Sequence, residues 1–161
     1  MRKKFKIALQ DIKQQGYEPS NRREDIELLK AVLLPVMAIF EYEVAELAAV
    51  FVYRQQEQTG EAKGADGITL WFSNPKIYAT VFSVGVSVEA LRVGEEYATM
   101  VFLHELAHVR VSPTDSEAMP HDRFFHSYLD KLIERYNQKT GKRIKNDYFG
   151  LNTHEVKLNV F

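Results

Sequence analysis

The sequence predicts an α+β domain, with a small antiparallel sheet packed on a buried helix and a further helix towards the C-terminus. Three observations carry that expectation. From about Val93 to Val111 the chain leaves almost no polar face. Tyr97, Met100, Val101, Phe102, Leu103, Leu106, Ala107 and Val109 cover most sides, as in a helix enclosed by protein. Two strand-like runs, 68–73 and 77–84, flank the turn pair Asn74-Pro75 and predict an antiparallel hairpin. Residues 121–138 then place Phe125, Leu129, Leu132 and Tyr136 on one helical face, with Gly141 beyond the end.

The other elements follow in chain order. Phe5, Leu9 and Ile12 stand at helical spacing over 3–14, a short helix that stops at Gly16. A second helix begins after Ser20-Asn21. Asn21 with Glu24 three residues on reads as an N-cap pair, Ile26, Leu29 and Leu33 form its apolar stripe, and Pro35 ends or kinks it. Over 46–59 the signals conflict, and Val50-Phe51-Val52-Tyr53 favours a strand at 48–54. The glycine-rich run 59–67 and the segment 112–120, with Pro113 and Pro120, read as loops. Glu95 and Glu96 sit where the positive end of the buried helix favours carboxylates. The partly basic tail 139–161 carries no pattern that assigns an element to it.

With 161 residues, no internal repeat and no low-complexity linker, the expectation is one domain over 1–161, its site region at about 93–138. A formal net charge of −1 gives no global attraction to nucleic acid or to an anionic membrane. The absence of cysteine excludes a disulfide scaffold, a cysteine nucleophile and every cysteine-containing zinc site. Met1-Arg2-Lys3-Lys4 is basic, but no apolar stretch of signal-peptide type follows. The longest apolar run, 31–40, is about half a membrane span and contains Pro35. A soluble, cytoplasmic protein is expected.

Within the buried helix lies His104-Glu105-Leu106-Ala107-His108. Histidines at i and i+4 project from one side of a helix, close enough to share a tetrahedral cation. Glu105 points to a neighbouring direction, where it can reach a water beside that cation without being a ligand. This is the HExxH arrangement of zinc peptidases. Burying such groups unpaired among apolar neighbours costs several kcal/mol, roughly, and a metal removes the problem. The competing reading is a pair of core histidines bonded to backbone carbonyls, with Glu105 at the surface. A catalytic zinc takes a third protein ligand. His121, at the start of the last helix and beside Asp122, is the favoured one; Glu117, His126 and Asp115 are the alternatives.

His104-Glu105-Leu106-Ala107-His108 followed by His121-Asp122-Arg123-Phe124-Phe125 resembles the minimal zincin metallopeptidases of the SprT-like and WLM type. In these, HExxH is followed, after a variable loop, by a third histidine with an aromatic residue four positions on. Phe125 falls at that place. The resemblance covers residues 97–130, and before them helix, short sheet and site helix come in the family's order. It implies a zincin-like fold and a zinc-dependent peptidase. Two departures stand out. The cysteine-rich zinc ribbon of many SprT-like proteins is absent, which removes support for a DNA-linked role. Pro120 replaces the familiar glycine before the third histidine.

The expected chemistry is peptide-bond hydrolysis with one Zn2+ per chain on His104, His108 and His121. Glu105, the catalytic residue, takes a proton from the metal-activated water as general base. Arg123, His126, Tyr136 and Tyr148 are candidate donors to the developing oxyanion. The substrate is a protein or peptide, held as an added strand on an exposed edge of the 68–84 hairpin. A rival is a non-catalytic, zinc-stabilised binding module whose fourth position is closed by Asp115 or Glu117. Another is a SprT-like DNA-associated protease. Lys139, Lys142, Arg143 and Lys145 lie near Tyr148 and Phe149, but they read as a solvated helix end. Trp71 and Phe124-Phe125 read as core.

Overall fold

The computed structural model of the protein describes residues 13, 17–74, 79–111, 123–146 and 153–159, with residues 61, 72–74, 79, 80 and 153–159 described by their backbone alone. The expected first helix at 3–14 lies outside these residues except for Lys13. Helix α1, Arg23–Ile39, buries Leu29, Leu33 and Val36, the face predicted by its apolar spacing. Its start differs from the expectation. Arg22 occupies the cap position with no side-chain cap. Instead the Ser20 hydroxyl accepts from the Arg22 N–H at 3.3 Å and donates to Asp25 at 2.5 Å. Pro35 does not end α1, which runs a further turn to Ile39. Pro35 lies on the exposed side, so the hydrogen bond it removes faces solvent. A short helix α2, Glu41–Ala45, follows, and Arg135 stacks over the ring of Phe40 between them at 4.7 Å.

Strands β1 (Leu47–Tyr53), β2 (Gly67–Asn74), β3 (Ala79–Ser87) and β4 (Thr153–Asn159) form one sheet in the order β1-β3-β2-β4. The hairpin is as expected: β2 and β3 pair antiparallel from Gly67↔Val86 to Asn74↔Ala79. The sheet as a whole is mixed, not antiparallel. β1 joins β3 in parallel and β4 joins β2 in parallel. The turn pair Asn74-Pro75 encodes only the local pairing, whereas the outer strands arrive from distant parts of the chain. β4 also supplies an element to the tail, to which the sequence pattern assigned none. Both edges of the hairpin are therefore covered, which corrects the expectation of an exposed edge there for a substrate strand.

β1 is buried over almost its whole length because both faces of the sheet are covered, as its unbroken apolar run requires. On one face Phe51, Tyr53, Ile68 and Leu70 pack with Ala62 and Ala65 of the 59–66 loop. Phe51 crosses over Gly85, where an added Cβ would fall 2.5 Å from the ring. On the other face Val52, Val84 and Val86 meet α1 and three further helices, where the main core sits. These are α3 (Val88–Val93), α4 (Glu95–Arg110) and α5 (Arg123–Thr140).

The expected helix from about 93 is α4, and α3 before it was not foreseen. Ser87 caps α3 by accepting from the Ala90 N–H at 3.0 Å, and Gly94, at φ +153°, separates the two helices. Phe125, Leu129, Leu132, Ile133 and Tyr136 of α5 are buried, as the spacing predicted. After α5 the chain turns back at Gly141. Asn137 brackets Ile144 with bonds to its carbonyl and N–H at 2.9 and 3.0 Å, and Lys142 reaches Glu95 at 2.6 Å. Among the described residues no helix is long and apolar enough to cross a membrane.

Candidate metal centre

Helix α4 presents eleven successive buried residues, Ala98 to His108. It crosses beneath β2 and β3 and packs against α5, so its middle has protein on every side. Two histidines one helical turn apart end on the same side. Their Nε2 atoms are 3.3 Å apart, and the rings lie 4.9 Å between centroids at 71°. Two zinc–imidazole bonds of about 2.0–2.1 Å at a tetrahedral angle require nitrogens about 3.3–3.4 Å apart. The pair therefore has the donor type and the spacing of one edge of a tetrahedral zinc site.

Phe125, from the first turn of α5, packs against both rings, with centroids 4.9 Å from His104 and 4.4 Å from His108. It is fully buried and restricts both imidazoles from the side of α5. The aromatic position singled out four residues after His121 is thus placed at the histidine pair. Its neighbour Phe124 is not core, which corrects that expectation. Phe124 is 62% exposed and stacks with Arg123 at 5.0 Å. Trp71 is half-buried.

Glu105 has no exposed surface, which contradicts the surface position given to it by the core-histidine reading. Its carboxylate is turned towards β2, where the Thr69 hydroxyl meets Oε2 and also lies 3.2 Å from the Glu105 carbonyl oxygen. Gly67, two residues earlier on the same face of β2, makes room for the side chain. A Cβ built there would stand 2.8 Å from Oε1 and 2.9 Å from Cγ. Gly67 is held from behind. Asp66 accepts from the Tyr97 hydroxyl at 2.6 Å and from Gln55 at 2.9 Å, and Tyr53 donates to the Ala65 carbonyl at 2.5 Å. Burial, joined by the bond to Asp66, pushes the Tyr97 phenol far above its ordinary range, so it remains a donor at all relevant pH.

His104, Glu105 and His108 are brought together as expected. His121, Glu117 and Asp115, the preferred third ligand and its rivals, lie outside the described residues, as does Tyr148. Among the described residues no further histidine or carboxylate joins the pair to complete a set of metal ligands. His126 instead has its Nδ1 3.2 Å from Asn146, which also donates to Asp130 at 3.0 Å. Tyr136 stands about 16 Å along α5 from Phe125, at 1.5 Å per residue.

Thr69 and Gly67 were missed as site residues. A glycine opening a strand marks close approach of another group, and that signal was available for Gly67. Thr69 carried none, since a threonine in a strand is ordinary. No protein-family model, no curated protein and no solved structure matches the chain.

Proposed function

We propose that the protein is a cytoplasmic zinc-dependent peptidase of the minimal zincin kind. His104 and His108 hold the metal with His121 as third ligand, and Glu105 is the general base. The observation that carries the reading is the 3.3 Å separation of the two buried Nε2 atoms, the edge of a tetrahedral zinc site, on a helix whose intervening glutamate is also buried. When bound, zinc supplies acidification of water and polarisation of the scissile carbonyl. Phe125 orients the imidazoles. Glu105 accepts a proton from the attacking water and returns it to the leaving amine. Thr69 and Gly67 shape the space that its carboxylate occupies. The substrate is a protein or peptide. It does not lie along the β2 edge while β4 occupies it.

The test uses wild type and Glu105→Gln on fluorescein-labelled casein, with zinc measured in both. The variant should keep its zinc and lose hydrolysis by about 100-fold or more. Full hydrolysis by Glu105→Gln would show that the base is another group.

A second reading has one observation in its favour. His104, Glu105 and His108 all have zero exposure, as in a closed zinc site that stabilises a binding module. In that case the protein would bind zinc tightly and wild type itself would cleave nothing.

A further inference from the structure

Thr69 is fully buried in the middle of β2, where the backbone pairs on both sides, Thr69↔Val84 on β3 and Thr69↔Glu155 on β4. A β-branched side chain on a strand held this way has little rotational freedom. Its hydroxyl is delivered to Oε2 of Glu105, while Oε1 lies over the vacant Cβ direction of Gly67. Strand residues i and i+2 share a face, so these two positions form a slot, with a donor at one end and empty space at the other. A glutamate otherwise turns about three bonds, and a bond from a fixed hydroxyl to a carboxylate is among the stronger orienting contacts.

We propose that Thr69 is a positioning residue for Glu105, selecting the one rotamer in which the carboxylate can serve the metal-side reaction; this rests on the reading of Glu105 as general base. Thr69 does not touch substrate or metal. It acts through Glu105, and a tie that merely joined sheet to helix would leave the carboxylate's function unchanged.

The experiment uses the full chain loaded with zinc and titrated calorimetrically with acetohydroxamate, a metal chelator whose N–O–H donates to a carboxylate beside the metal. Zinc content and thermal midpoint are measured in parallel. Thr69→Val should keep wild-type zinc and bind acetohydroxamate about tenfold more weakly, while Thr69→Ser should stay within about twofold of wild type. Adding Thr69→Val to Glu105→Ala should cause no further loss, because no carboxylate is left for Thr69 to orient. Wild-type affinity in Thr69→Val, or an equal added loss in the Glu105→Ala background, would overturn the assignment. If Thr69→Val does not fold, Thr69→Ala carries the same readouts. A wild type without zinc, or zinc-loaded wild type that takes no acetohydroxamate, would instead remove the peptidase reading and this assignment with it.

Discussion

Glu105 is constrained from β2 by one residue that donates and another that stays out of the way. The second constraint is the easier to perturb. A methyl at Gly67 would meet Val101 at 2.7 Å and the Glu105 side chain at 2.8–2.9 Å, closer than such contacts allow. Gly67→Ala should therefore destabilise the fold by about 1–3 kcal/mol, seen as a lower urea midpoint, and reduce zinc-dependent hydrolysis. Unchanged stability and activity would mean that the strand and helix can part there without consequence. At this scale the His104–Glu105–His108 set was legible because one helix carries all of it, and helical spacing fixes the mutual placement. The Thr69–Glu105 contact spans 36 residues and two elements, and no spacing encodes it.

Helix α1 is fastened at its start by charge and not by a conventional cap. Asp25, 1% exposed, accepts from Arg54 Nε at 2.8 Å and from its Nη2 at 3.0 Å, and also from Ser20. The Arg54 hydrogen bonds hold the Asp25 carboxyl below its ordinary value, against the opposing effect of burial. A carboxyl depressed on folding stabilises fully above the unfolded value of about 3.9, and that stabilisation disappears as pH falls through the lower folded value. Asp25→Asn should cost about 1–3 kcal/mol at pH 7, and its gap to wild type should shrink towards pH 3. Urea midpoints of both proteins at the two pH values give the answer; a gap independent of pH would show that Asp25 acts by shape and not by charge. The elements themselves were legible where a short-range pattern exists: the apolar stripes of α1 and α5, the apolar sheath of α4 and the β2–β3 hairpin. β1 was legible as a strand at 48–54, but its parallel pairing with β3 was not, and neither was β4. Parallel pairing joins segments far apart in the chain and leaves no local turn as a marker. Pro35 does not end the helix for a different reason, since its penalty depends on which side of the helix it faces.

For the whole molecule, a metal site in the core couples metal binding to folding. His104 and His108 sit between the sheet and α5, so zinc held there, as proposed, would stabilise the native state alone. Wild type should melt roughly 5–15 °C higher with excess zinc than with a chelator, given about 2–4 °C per kcal/mol for a chain of this size. His104→Ala should show no such difference. A wild-type midpoint indifferent to chelator would show that the native state holds no zinc in preference to the unfolded chain. The overall class, helices on a small sheet around a buried site helix, could be read from the sequence. The proposed third ligand could not be fixed in the same way, because His121 is 13 residues from His108 in the sequence and no helical spacing links the two.

The measurement that bears most directly on the central claim is zinc per chain, by elemental analysis, in wild type, His104→Ala and His121→Ala purified side by side without added metal. Wild type should carry close to one zinc, and both variants should show marked loss. Metal-free wild type, or variants that retain a full equivalent, would contradict the claim.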